Sequence, residues 1–184
     1  MEIKIQTTSN DSILIRKVTN NDARQYIELI NSVWRVAYKN IFPEEVFIDR
    51  ERGTENRIKS FADKFYNDNK RLCYVAECND VIVGAIYGTI KSTYEHFLEG
   101  GFADLVALYI NPKYQGKGIG TKLKNIFEDW ARKNGAKKYI IGVLKDNNNA
   151  RKIYESWGGE LDDWEQKFYK LDVGYDEVFY KYSL

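Results

Sequence analysis

One short segment limits what this chain can fold into more than any other: Gln115-Gly116-Lys117-Gly118-Ile119-Gly120-Thr121. It follows Ala103–Ile110, an apolar run broken only by Asp104, which reads as a largely buried strand. It precedes Ile119, Leu123, Ile126, Phe127 and Trp130, which share one face of a helix, and Asn134-Gly135 is a good C-terminal stop for that helix. Lys138–Val143 then supplies the next strand. Glycines in such a loop let backbone N–H groups approach a ligand with no Cβ in the way. The start of a helix leaves its first four N–H groups without partners, and its dipole favours an anion. Lys113, Lys117, Lys122 and Lys124 crowd the segment, with no acid before Glu128. Cations in a first helical turn oppose the dipole by ~0.3–1 kcal/mol each. A bound phosphate resolves that conflict; the plainer alternative is a Gly-rich turn carrying solvated lysines.

The flanking segments set the fold class. Ser12–Lys17 reads as a strand, and Thr19 with Asp22 has the capping-box pattern ahead of Ala23, Ile27, Ile30, Trp34 and Ala37 at helical spacing. Pro43-Glu44-Glu45 starts a second helix, and a third is expected from about Glu55 to Phe65. Arg71–Glu77 and Val81–Ile90 form a hairpin about Asn79-Asp80, and Tyr94–Gly101 reads as a loop. Ala150, Ile153, Tyr154 and Trp157 mark a short helix closed by Gly158-Gly159. Two last strands are expected near Trp164–Leu171 and Asp176–Tyr182. Strand–helix–strand in the middle, with hairpins before and after, predicts an α/β (α+β) fold. Its sheet should be mixed and mostly antiparallel, with six to seven strands and about four helices, and not doubly wound. A single domain over residues 1–184 is expected.

Composition removes several function classes. The 28 Lys and Arg nearly balance 27 Asp and Glu, so no general nucleic-acid surface is indicated. No apolar run nears the ~20 residues needed to span a bilayer, and the N-terminus has no apolar h-region, so a cytoplasmic protein with no membrane partner is expected. The single histidine, His96, makes a His-rich metal site or a Ser-His-Asp triad improbable, and no metal is expected. Cys73 and Cys78 read as small core residues. Chemistry must then come from carboxylates, Tyr, Lys, backbone or a cosubstrate.

The loop fits neither common nucleotide fingerprint. A Walker loop needs four residues between its first Gly and Gly-Lys-Ser/Thr; G-x-G-x-x-G counted from Gly116 ends on Thr121. It does resemble the Gln/Arg-x-x-Gly-x-Gly/Ala signature of the GNAT superfamily of N-acetyltransferases, as Gln115, Gly118 and Gly120. Ala103–Pro112 resembles that family's fourth strand and its exit, and Asn147-x-x-Ala150-x-x-x-Tyr154-Glu155 its Asn-x-x-Ala…Tyr-Glu stretch. Trp34–Tyr38 with Ile41-Phe42-Pro43 looks like the helical entry of many bacterial members, so the resemblance runs from about Ile13 to Tyr182.

The resemblance implies acetyl-CoA as cosubstrate and a direct attack by an amine. It implies that backbone N–H groups of Gly116, Lys117, Gly118, Ile119, Gly120 and Thr121, behind Gln115, hold the pyrophosphate. Leu108, Tyr109 and Ile110 would pair with the pantetheine arm as an added strand, Asn147 would hydrogen-bond it, and Tyr154 would protonate the leaving thiolate. Asp104 is the candidate base, where many relatives carry Glu; its alternative is a strand-end residue bonded to a nearby loop. For Tyr154, one of 14 tyrosines, the alternative is a packed helical aromatic; for Asn147, a helix entry. The acceptor reads only as a small-molecule or peptide amine: Tyr38, Phe42, Tyr94, Glu95 and His96 are wall candidates, Trp34 reads rather as core on its apolar helix face, and Glu95 and Glu99 are acids that could attract a cationic amine. The oligomeric state, a homodimer among the options, is unread. A non-catalytic acyl-CoA sensor and an unrelated nucleotide-phosphate binder are the competing functions.

Overall fold

The computed structural model describes residues 2–6, 12–62 and 70–184. Within them eight strands form one sheet: β1 (Ile3–Gln6), β2 (Ser12–Lys17), β3 (Arg71–Cys78), β4 (Val81–Thr89), β5 (Phe102–Ile110), β6 (Lys138–Leu144), β7 (Glu160–Lys170) and β8 (Val173–Ser183). Their order is β1-β2-β3-β4-β5-β6-β8-β7, antiparallel at every pairing except β5 with β6. The α-helices described are α1 (Ala23–Tyr38), α2 (Glu44–Arg52), α3 (Thr54–Lys59), α4 (Glu95–Leu98), α5 (Ile119–Lys133) and α6 (Asn148–Ser156). No helix among the described residues is long and apolar enough to cross a membrane.

The architecture is the mixed sheet expected from sequence, with more elements. The uncounted strand is β1, only four residues long, too short for alternation of Ile3 and Ile5 to stand out. Part of Tyr94–Gly101 is the single-turn α4, made by four residues with no repeat to read. α3 ends at Lys59; the rest of the stretch expected as helix reaches into residues 63–69, outside the described ones. Asn79 and Asp80 both take positive φ (49° and 62°), the conformation a two-residue hairpin needs, which places the β3–β4 turn where the sequence put it.

Helices cover both faces of the sheet. On one face α1 lays Tyr26, Ile30, Val33 and Trp34 against Val75, Ala85 and Tyr87. On the other α5 lays Ile119, Leu123, Phe127 and Ala131 against Ala76, Val83, Leu105 and Ile141. Burial of each such side chain stabilises the fold by about 1.5–3 kcal/mol. The capping box forms as predicted: Asp22 Oδ2 accepts from Thr19 N (2.7 Å) and Oγ1 (2.9 Å). Asp22 also pairs with Arg16 (2.7 Å), whose guanidinium bonds Glu77 as well, tying β2, β3 and the start of α1 together.

One irregularity positions the site. The β4–β5 register slips between Tyr87↔Ala107 and Thr89↔Asp104, so β5 carries an extra residue there. A bulge bends its strand. β5 pairs with β6 only at Phe102↔Lys138, Ala103↔Tyr139 and Asp104↔Ile140; beyond the bulge the two parallel strands diverge.

Candidate active site

The divergence opens a cleft of about 1150 Å³, with walls from both faces of the sheet. Ala107–Ile110 pair with β4 on one side, and Leu105–Ile110 have no β6 partner on the other. Backbone groups on that edge can take an added extended chain. Leu108, Tyr109 and Ile110 all line the cleft.

The glycine loop closes one end. Gly116 and Gly118 adopt φ of +72° and +78°, and nothing lies within 4 Å of a Cβ built on either. They are required by conformation, not by crowding. Gly118 caps α5, and the first helical bond runs from Lys122 N to its carbonyl (3.0 Å). The N–H groups of Ile119, Gly120 and Thr121 precede that bond and have no intrahelical acceptor. Gln115 braces the loop by donating from Nε2 to the Ile110 carbonyl (3.1 Å). Gln115, Gly116, Gly118, Ile119, Gly120 and Thr121 line the cleft; Lys117 does not, and its ammonium lies 5.0 Å from the Tyr114 ring. Lys124 leaves the expected cationic group: it is buried, pairs with Glu128 (2.7 Å) and covers Trp157.

Asn147 does two things at once. Its Oδ1 accepts from Ala150 N (3.2 Å) and caps α6, and the same side chain lines the cleft, its Nδ2 without an acceptor among the described residues. The helix-entry reading and the ligand reading are therefore compatible. Two turns on, Tyr154 lines the cleft beside Trp157 and Tyr180 (ring centroids 5.8 and 6.0 Å). Burial, then the nearby Tyr109, pushes its phenol above the usual tyrosine range, so it holds its proton through neutral pH.

Asp104 sits where the strands part. Its neighbours Ala103 and Leu105 face α5, so it points to the α1 face and lines the cleft there. It is 1% exposed, and burial pushes its carboxyl up to about 7; bonds from Thr93 pull it down and Glu177 pushes it further up. Among the described residues its Oδ2 has no hydrogen-bond partner. A buried, unpartnered carboxylate oxygen facing a cleft is poised to take a proton.

Sequence reasoning missed Glu177. This β8 carboxylate is 6% exposed, accepts from Gln166 Nε2 (2.8 Å) and Tyr94 Oη (3.3 Å), and is raised by burial. It lies above Gly142, where a Cβ would meet Glu177 Oε1 at 3.0 Å and Tyr94 Oη at 3.2 Å. Only the parity of β8 could have found it: Val178 and Tyr180 face the core, so Glu177 and Phe179 face the other side.

The acceptor wall is rearranged relative to expectation. Trp34 is buried, as core, yet its Nε1 donates to Tyr109 Oη (2.9 Å) and its ring lines the cleft. Tyr38 bonds the same phenol oxygen, so α1 is pinned to β5 through Tyr109. Phe42 and Tyr94 also line the cleft, whereas Glu95, His96 and Glu99 do not; His96 stacks on Trp164 (4.7 Å, 9°).

Comparison with known proteins agrees with this geometry. Residues 31–158 match the family model described as the Acetyltransferase (GNAT) family. A spermidine N(1)-acetyltransferase of Thermoplasma acidophilum is 25% identical over 170 residues, 90% of this chain and 99% of that protein. An L-methionine sulfoximine/L-methionine sulfone acetyltransferase of Salmonella typhimurium is 29% identical over 61% of this chain and 63% of its own length. Among solved structures, the PaiA N-acetyltransferase of Thermoplasma acidophilum in complex with coenzyme A superposes with a TM-score of 0.68 at 21% identity, covering 94% of this chain and 99% of that one.

Proposed function

The chain belongs to the GNAT family of N-acetyltransferases, and from that premise we propose that residues 1–184 are one catalytic domain moving an acetyl group from acetyl-CoA to the primary amine of a small molecule or peptide. One observation carries the reading. The unpaired β5 edge, the free N–H groups at the start of α5, Asn147, Tyr154 and Asp104 all meet in one cleft. Known relatives act on spermidine or on L-methionine sulfoximine, by their names, which supports an amine acceptor without choosing between them.

The proposed roles follow from the chemistry. The pyrophosphate sits on the N–H groups of residues 116–121, where helix dipole and glycine backbone favour an anion. The pantetheine arm extends along Leu108–Ile110, with Asn147 Nδ2 as a further donor. An alkylammonium has a pKa of ~10.4, so the acceptor arrives protonated at neutral pH. Asp104, lifted to about 7, is a stronger base than an ordinary carboxylate and takes that proton, directly or through water. The neutral amine attacks the thioester carbonyl, and a backbone N–H near Tyr109 stabilises the oxyanion. The C–S bond breaks, Tyr154 gives its proton to the departing thiolate, and the proton that the attacking nitrogen sheds as the amide forms restores the phenol, directly or through water.

A thiol-release assay with acetyl-CoA against polyamines, aminoglycosides, amino acids and peptide N-termini tests the reading. Thiol release with at least one amine is expected. Tight acetyl-CoA binding with no turnover on any of them would leave a sensor in place of an enzyme.

A further inference from the structure

Beside the main cleft, on its α1 face, lies a pocket of about 340 Å³ lined by Trp34, Arg50, Arg57 and Lys170, with Asp49 also in its wall. Trp34, Arg50 and Lys170 line the cleft as well, so the two spaces are continuous. Among the described residues, none of the three cations has a carboxylate partner. Within that set the Arg50 guanidinium makes no hydrogen bond, and its Nε is buried and unpartnered; it is held by stacking on Trp34, 4.0 Å from the ring. Arg57 gives Nη2 to the Arg50 carbonyl and Asn31 Oδ1 (3.0 Å), leaving Nη1 buried and unpartnered. Lys170 reaches in over Trp34 and Phe168. Asp49 is exposed and, among the described residues, forms no ion pair with any of them, although its charge raises Lys170 against the larger lowering by burial and Arg50.

Three cations gathered against a single exposed carboxylate are costly, since each loses hydration and repels the others. The strain is visible in their acidities: burial, then Arg57, drags Arg50 down to about 10, and burial, then Arg50, lowers Lys170. An oxyanion removes the cost. The geometry points to an acceptor that carries, besides its amine, a carboxylate or phosphate seated on Arg50, Arg57 and Lys170. This rests on the acetyltransferase reading and narrows its substrate class. The amine lies toward Asp104 and Glu177, and the anionic end toward the arginines. A purely cationic polyamine has nothing to offer this second pocket.

Two readouts test it. The first compares kcat/KM for amino acids from glycine to 6-aminohexanoate, each against its carboxamide, and for phosphoethanolamine against ethanolamine. At least one anionic acceptor should exceed its neutral counterpart by about 10-fold or more. Arg50→Met and Lys170→Met should each shrink that ratio, which cancels any general loss of folded protein. If every neutral counterpart matches its acid, or spermidine outruns the whole panel, the inference is overturned and the acetyltransferase reading stands. The second follows the arginine Nε–H signals of the CoA-bound protein by nitrogen-15 NMR during titration with the same acids. A saturable shift of the Arg50 signal is expected. Its absence with all of them overturns the inference whatever the turnover; a shift without thiol release would leave an anion-binding pocket and overturn the acceptor assignment together with the enzyme reading.

Discussion

Replacing Asp104 with Asn should make the protein more stable and the enzyme inactive, and the stability gain should depend on pH. In the unfolded chain this carboxyl titrates near 3.8; in the fold it is lifted to about 7 by burial in the β5–β6 cleft. A folded pKa above the unfolded one means that the folded state holds the extra proton. The associated stability is complete below 3.8 and is lost as pH rises to about 7. Above that, the ionised buried carboxylate costs the fold at most about 4 kcal/mol. The carboxamide of the variant does not titrate. Its oxygen can still accept from Thr93, and its nitrogen replaces an oxygen that has no partner among the described residues. An amide left unbonded there would return about 1–3 kcal/mol of the gain.

The assay is urea unfolding of both proteins at pH 5 and pH 8. Between those values the advantage of Asp104→Asn should widen by about 2–3 kcal/mol, most of the change falling below pH 7. Glu177 sits close enough to raise Asp104, so removing one charge eases the other in the same direction. Turnover should fall by about 100-fold or more if the group takes the ammonium proton. A gap that stays flat from pH 5 to 8 would show that Asp104 ionises normally. Wild-type turnover in the variant would show that another group, Glu177 or water, is the base.

Three other outcomes are expected. Tyr154→Phe should lower kcat by about 10²–10⁴-fold with little change in acetyl-CoA affinity, measured by steady-state kinetics beside calorimetric binding; equal losses in both would make the ring a binding surface only. Gly120→Glu has only one atom near its new Cβ, Ile110 Cγ1 at 3.9 Å, and an acid in the first turn of α5 suits the helix dipole; melting temperature should hold while CoA binding is lost, and unchanged affinity would remove the pyrophosphate from this loop. Arg16→Met leaves the buried Asp22 and the half-buried Glu77 without their cation and should cost about 3 kcal/mol in denaturant unfolding with catalytic constants per folded molecule unchanged.

The donor half of the site was legible because its chemistry is local. A strand, a glycine loop and a helix start are contiguous, so Gln115, Gly118 and Gly120 could be read together, as could Asn147 with Tyr154 seven residues on. Strand bounds were legible where turn chemistry is strong, as at Asn79-Asp80, and less so where it is weak. β7 starts at Glu160, four residues before the expected Trp164, because its alternating charged residues carry no β signal. Lys124 was grouped with the loop lysines by position, but one further turn of helix carries it to Glu128 and Trp157. The acceptor half was illegible for a topological reason. Glu177 reaches the cleft from β8, Arg50 from α2 and Lys170 from β7, three elements that only the fold brings together.

The two halves also differ in charge, and that difference orders the site. Backbone N–H groups at the loop end favour a polyanion, and buried Asp104 and Glu177 near the parting of the strands favour a cation. Arg50, Arg57 and Lys170 then restore positive potential beyond Trp34. A ligand pair filling this sequence runs from the phosphates of the donor through the thioester to an ammonium and on to an anionic tail. Weakening the positive potential at either end leaves that alternation broken at one place only. Glutamate at position 120 should therefore act on the donor and methionine at position 50 on the acceptor, each with its own kinetic signature.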